Sequence, residues 1–185
     1  MDAPEQAGDI EETAARVVAR GAARGVSVAV AESLTGGLVA STLVRTPGAS
    51  AVLRLGVVAY ATEMKGSVLR VPAALLAERG AVDPDVAIAM AHGVRELAAI
   101  DRGACTIGVA TTGVAGPDGQ DGHAPGEFHV GLVVATRDGL VAEHASRVVP
   151  GDREHVRAAA VRTALELLDA ALDRTDLDVH SGSTP

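Results

Sequence analysis

One lysine and one tyrosine occur in this chain, and they stand five residues apart in Tyr60-Ala61-Thr62-Glu63-Met64-Lys65. The other 15 of the 16 basic residues are arginine. Arginine keeps its proton in a protein, whereas a desolvated lysine can lose it and act as a general base. Lys65 is therefore a candidate for chemistry that arginine cannot do, and Tyr60 could relay a proton or hold the amine in place. The alternatives are a lysine that survived by chance in an arginine-biased composition and a tyrosine that packs at a strand end.

A base needs a group to activate. Ser33 stands where a β-rich run, Val26 to Ala31, gives way to a helical one, Leu38 to Arg45, with Gly36 and Gly37 close behind it. A serine there can project its hydroxyl above a sheet edge, and the Gly36 and Gly37 amides near the helix start are candidate donors to an oxyanion. This resembles a nucleophile elbow without the Gly-x-Ser-x-Gly pattern. The structural alternative is that Ser33 or Thr35 simply caps the helix. Histidine is the usual partner of a nucleophilic serine, but the six histidines form no arrangement that points to a Ser–His–Asp group. Lys65 is the alternative base.

Two further stretches could contact a ligand. Thr111 to Gly119 follows a strand and is rich in glycine, so its backbone can approach a ligand closely and cradle a phosphate. It matches neither the Walker nor the dinucleotide fingerprint. Thr112 and Gly113 are its candidate contacts. In Pro150-Gly151-Asp152-Arg153, Asp152 reads as a helix N-cap, and Arg153 sits at a helix start, where acids are favoured. Arg153 either pairs with Asp152 or Glu154 or shares an anion with the backbone amides.

The elements that must position these groups read as follows. Helices are expected over Ile10–Arg24, 38–45, 62–69, 72–79, 83–99 and 152–172. Strands are expected over 26–31, 53–59, 105–110, 128–135 and 140–149. Thr136-Arg137-Asp138-Gly139 marks a hairpin, so the sheet is mixed. The fold class is α/β, a three-layer α/β/α sandwich with five or six strands. With 48% hydrophobic but only 1% aromatic residues, Ala, Val and Leu must fill the core. Cys105 is expected to be buried in a strand. At 185 residues the chain suits one domain over 1–172, with a disordered tail over 173–185.

Composition also excludes. A net charge of −8 argues against sequence-independent nucleic-acid binding, though not against a single nucleotide. One cysteine leaves no intrachain disulfide and no all-cysteine metal site. No apolar run reaches membrane-span length, and the acidic N-terminus does not read as a secretion signal, so a soluble cytoplasmic protein is expected. The alanine-rich helices could pack a homo-oligomer.

Taken in series, Ala31-Glu32-Ser33-Leu34-Thr35-Gly36-Gly37, Pro47-Gly48-Ala49-Ser50, Tyr60 to Lys65, Gly80-Ala81-Val82, Thr112 to Pro117 and Gly151-Asp152-Arg153 resemble the CinA C-terminal domain family. Its members are nicotinamide mononucleotide deamidases, also called PncC. The resemblance spans about Ala7 to Leu172. It implies metal-free, cofactor-free hydrolysis of nicotinamide mononucleotide to nicotinate mononucleotide and ammonia, with Ser33, Tyr60 and Lys65 as the catalytic group. It also implies a stand-alone form, without the N-terminal molybdopterin-binding-like domain of many relatives. The chain departs from the family at Leu34 and Thr62, and in an acidic loop carrying Asp118, Asp121, His123 and then Glu127. Carboxylates near a phosphate site would weaken its affinity. The rival readings are a Ser–Lys amidase for another small carboxamide and a catalytically silent nucleotide-binding module.

Overall fold

The computed structural model describes residues 3–99 and 103–179, with side chains from residue 9 onward. Five strands, β1 (Val28–Glu32), β2 (Leu53–Val58), β3 (Ile107–Gly113), β4 (Glu127–Thr136) and β5 (Gly139–Val148), form one sheet in the order β2-β1-β3-β4-β5. β1 runs parallel to β2 and β3, and β4 is antiparallel to both β3 and β5, so the sheet is mixed. The helices are α1 (Ala3–Arg24), α2 (Leu38–Val44), α3 (Thr62–Ser67), α4 (Ala73–Arg79), α5 (Pro84–Leu97) and α6 (Arg153–Ala171).

The two faces of the sheet carry side chains of different size, because successive strand residues point to opposite sides. Val28, Val30, Ile107, Val109, Phe128, Val130 and Leu132 fill one face, with Val17 of α1, Leu43 of α2 and Leu165 of α6 packed on it. The other face presents Ala29, Ala31 and Ala110 beneath Val86, Met90 and Val94 of α5. Glycine lets α5 come closer still. A Cβ at Gly108 would lie 2.1 Å from the Ala91 carbonyl oxygen, and one at Gly131 would lie 2.3 Å from that of Ala87. The chain thus forms an α/β/α sandwich with a thin side under α5 and a thick side under α1 and α6.

Crossovers decide where a site can lie. From β1 the chain crosses on the α2 side to reach β2. From β2 it returns through α3, α4 and α5 on the opposite side to reach β3, on the far flank of β1. In open α/β sheets, ligands bind in the crevice beyond the carboxyl ends of strands where such connections diverge. Glu32, Val58 and Gly113 end the three parallel strands, so Ser33, Tyr60 and Thr112 come to one sheet edge.

Several expected boundaries move. α1 begins at Ala3, ahead of Ile10. β3 runs through Gly113, so Thr111, Thr112 and Gly113 are strand residues and not loop. The alternation then turns Thr111 toward the thick side and Thr112 toward the α5 side. Cys105 is buried as expected but precedes β3. The structureless tail expected from Asp173 is corrected over 173–179. Leu177 is buried and forms a bridge with Thr136, and the Asp178 amide donates to the Ala135 carbonyl at 3.0 Å. The physical reason is an apolar side chain within reach of the turn end of the β4–β5 hairpin. Residues 180–185 of that tail lie outside the described residues. No helix among the described residues is long and apolar enough to cross a membrane.

Candidate active site

Lys65 is the largest fully buried side chain of the described residues, with 1% of its surface exposed. It comes from the short α3, which follows β2 directly, so its stem passes under the sheet edge. Its Nζ donates to Thr112 Oγ1 at 2.7 Å and to the Ala81 carbonyl at 3.0 Å. Thr112 Oγ1 donates in turn to the same Ala81 oxygen at 2.6 Å, closing a triangle of lysine, threonine and carbonyl. No ion pair involves Lys65 among the described residues. Burial without a counter-charge lowers its amine from 10.5 to about 8.

Ser33 follows Glu32, the last residue of β1, and 8% of its surface is exposed. Its amide donates to the Thr111 carbonyl at 3.0 Å, which ties it to the end of β3. Its hydroxyl has no hydrogen-bond partner within the described residues, although it is not sealed from solvent. Neither Ser33 nor Thr35 caps α2: Thr35 Oγ1 lies 2.7 Å from Thr111 Oγ1, and Gly37 occupies the N-cap position. The cap comes instead from Glu32. Its buried carboxylate accepts from the Gly37 and Val39 amides through Oε2, at 2.9 and 3.1 Å, and from Ala40 through Oε1 at 2.9 Å. The positive helix end thus solvates an otherwise unpaired carboxylate.

This corrects one expectation. The Gly37 amide is spent on Glu32, and the Gly36 amide donates to the Ser33 carbonyl at 3.1 Å. Neither glycine lines the cleft described below, so neither amide is placed to receive an oxyanion. The helix start that made them attractive is the reason they are occupied.

Tyr60 is 63% exposed, and Arg153 Nη2 donates to its hydroxyl at 3.1 Å. Arg153 Nη1 donates to the Gly116 carbonyl at 3.0 Å. Arg153 therefore pairs with neither Asp152, which caps α6 through the His155 amide at 2.8 Å, nor Glu154, which is ion-paired to Arg157. It spans from α6 across to Tyr60 and the glycine loop.

Ser33, Tyr60, Lys65, Thr112, Gly113 and Arg153 all line one open cleft of about 500 Å³, together with Leu34, Ala81 and the loop 114–120. That volume suits a small-molecule site. The three candidate catalytic side chains share this cleft but are not hydrogen-bonded to one another. Lys65 is held by Thr112 and Tyr60 by Arg153. Of the acidic loop residues, Asp118 lines the cleft, whereas Glu127 is turned to His123 at 3.0 Å and to His129 at 3.4 Å. No group of three or more His, Cys, Asp or Glu among the described residues could hold a metal ion.

Sequence reasoning missed two residues. Glu32 had a signal, a lone carboxylate ending a buried strand just before a glycine-led helix. Arg157 lies four residues after Arg153, hence on the same face of α6. Its Nε donates to the Leu34 carbonyl at 3.1 Å and its Nη2 to that of Thr35 at 3.0 Å.

Comparison with known proteins gives this geometry a lineage. The family model for the CinA C-terminal domain matches residues 10–172. A CinA-like protein of Anaeromyxobacter sp. (strain Fw109-5) is 51% identical over 163 residues, which are 88% of this chain and 38% of that protein. One from Gemmatimonas aurantiaca is 40% identical over 94% of this chain and 39% of its own length. The chain thus spans about two-fifths of the length of these relatives. Among solved structures, the competence damage-inducible protein A of Klebsiella pneumoniae superposes with a TM-score of 0.81 at 33% identity, covering 90% of this chain and 99% of that one. A competence/damage inducible protein of Agrobacterium tumefaciens gives 0.77 at 37% identity, covering 90% and 96%. A match over nearly the whole fold, with the cleft residues falling in the matched span, means that this chain belongs to the CinA family through its C-terminal domain.

Proposed function

We propose that the cleft hydrolyses the carboxamide of nicotinamide mononucleotide, releasing ammonia and nicotinate mononucleotide. The observation that carries this reading is a buried lysine with no carboxylate partner, its amine lowered to about 8, on the wall of the cleft that holds an unpartnered serine hydroxyl. A buried ammonium without a counter-charge is costly, and one that serves only structure gains nothing from it. The same environment keeps a usable fraction neutral near physiological pH.

The chemistry follows from the groups present. Two directions around Lys65 Nζ are taken by Thr112 and Ala81. The neutral amine keeps a lone pair that can take the Ser33 proton as Oγ bonds to the amide carbon. The carbonyl electrons move onto oxygen. When the tetrahedral adduct collapses, the carbon–nitrogen bond breaks and the lysine ammonium returns its proton to the departing nitrogen as ammonia. Water then attacks the acyl-serine, with the same amine taking its proton, and releases the acid. Arg153 and the loop 113–119 supply a cation and glycine backbone for the phosphate and ribose, and Tyr60 stays oriented by Arg153.

Asp118 on the cleft wall favours a second reading, a Ser–Lys amidase for a carboxamide without a phosphate. One experiment separates them: ammonia release by the purified chain from nicotinamide mononucleotide, nicotinamide and unrelated amides, with and without a chelator. Release from the mononucleotide alone, insensitive to chelation, supports the first reading. Release from other amides supports the second. Binding of the mononucleotide without release, at high protein concentration, means a silent binding module and overturns both.

A further inference from the structure

The turn after Ser33 shows what replaces the two glycine amides. The Gly36 amide donates to the Ser33 carbonyl at 3.1 Å, which makes Ser33–Gly36 a four-residue turn with Leu34 and Thr35 at its centre. In a trans peptide the N–H points opposite to the preceding C=O. Because the Ser33 carbonyl faces into the turn, the Leu34 N–H faces out of it. That N–H has no partner among the described residues, and Leu34 lines the cleft beside Ser33. The amide following a nucleophile is well placed to meet the oxygen of a carbonyl that the nucleophile attacks.

The opposite side of the turn is gripped by one side chain. Arg157 Nε and Nη2 donate to the Leu34 and Thr35 carbonyls at 3.1 and 3.0 Å, and Nη1 is held by Glu154 Oε1 at 2.6 Å. The bonds to Thr111 anchor the Ser33 amide and the Thr35 side chain, and the Leu38 amide donates to the Thr35 carbonyl at 3.2 Å. Among the described residues, however, the Leu34 carbonyl has only this guanidinium, which alone joins the two central carbonyls to α6. Two parallel N–H groups in a planar fork fix the tilt of both peptide planes, which a single ammonium cannot do. We infer that Arg157 is a positioning residue: it clamps the Ser33–Gly36 turn against α6 so that the Leu34 amide serves as the oxyanion donor. The inference rests on the amidase reading for its catalytic part. The clamp itself rests on the hydrogen bonds alone.

The test uses the full chain and the variants Arg157→Lys and Arg157→Ala, assayed for ammonia release from nicotinamide mononucleotide. Folding is checked by thermal unfolding. Losing an oxyanion donor outright costs about 10²–10³-fold in kcat, and misorienting one should cost about 10–100-fold. Both variants are expected to lose kcat on that scale with KM changed less than about threefold. Free guanidinium ion at millimolar concentration should restore part of the kcat of Arg157→Ala and none of that of Arg157→Lys. A folded Arg157→Ala with kcat within about twofold of wild type overturns the inference. So does full activity in Arg157→Lys, or a loss confined to KM. If Arg157→Ala does not fold, Arg157→Lys keeps the stem and decides the matter. If the wild-type chain releases no ammonia, the amidase reading fails by itself. The clamp is then read from hydrogen exchange at amides 34–36, where faster exchange in Arg157→Lys upholds it and unchanged exchange overturns it.

Discussion

Lys65 Nζ and Thr112 Oγ1 lie 2.7 Å apart, both shut away from bulk water, one on the six-residue helix α3 after β2 and the other next to the last residue of β3. The threonine accepts from the lysine while donating to Ala81, so it sets the direction of the amine as well as its distance. Thr112→Val keeps the shape and removes the acceptor. The ammonium then loses one of its two partners, and its affinity for the proton falls further. The activity profile should shift to lower pH, with a stability loss of about 1–2 kcal/mol in thermal unfolding. An unmoved profile would show that Thr112 does not tune the amine.

The pH dependence follows from the direction of the Lys65 shift. Its folded value, about 8, lies below the ordinary 10.5. Between these limits the unfolded chain binds the extra proton, so stability rises with pH across that window and the burial penalty is fully present below it. The neutral base also accumulates there, so kcat/KM should climb through about pH 8 and level off. Lys65→Met should abolish this part of the stability rise. A wild-type rate that is flat from pH 6 to pH 9 would remove the base from the mechanism.

Replacing Lys65 by arginine keeps the charge and discards the titration. Lys65→Arg should lose activity almost as fully as Lys65→Ala, about 10²–10⁴-fold for a general base. Circular dichroism and thermal unfolding check that the larger side chain is accommodated. Near-wild-type turnover in a folded Lys65→Arg would falsify the base assignment.

Arg153 reaches Tyr60 and the loop carbonyl of Gly116 from outside the buried triangle. Arg153→Ala should therefore act mainly on substrate binding, raising KM for a phosphorylated substrate by about tenfold or more, since a charged hydrogen bond is worth about 1.5–3 kcal/mol. It should leave the KM for unphosphorylated amides nearly unchanged. Equal effects on both would place Arg153 with the reacting amide and away from the phosphate.

Glu32 carries stability where Lys65 carries chemistry. Glu32→Gln turns one of two acceptor oxygens into an NH2 group aimed at backbone donors of α2, leaving buried amides without partners. The expected loss is about 1–3 kcal/mol, read from denaturant or thermal unfolding. A variant as stable as wild type would mean that the helix start finds water instead.

The alternation of apolar residues, the capping acids Asp83 and Asp152 and the hairpin signature over 136–139 were enough to read a mixed sandwich of five or six strands, because period, caps and turns are local properties of the chain. The oddity of a single lysine beside a single tyrosine was equally legible, since it is a matter of residue type. What the sequence could not decide is who satisfies whom. Gly36 and Gly37 looked like free donors because a helix start leaves amides unpaired, and only the packed structure shows Glu32 and the Ser33 carbonyl taking them. Thr112 looked like a ligand contact in a loop, but pairing of β3 with β4 extends the strand and turns it onto Lys65. Arg157 carries no local signal at all, because its carbonyl partners lie over a hundred positions away along the chain. Hydrogen-bond partnership across such distances is set by which elements the core brings together, and that is a property of the tertiary fold.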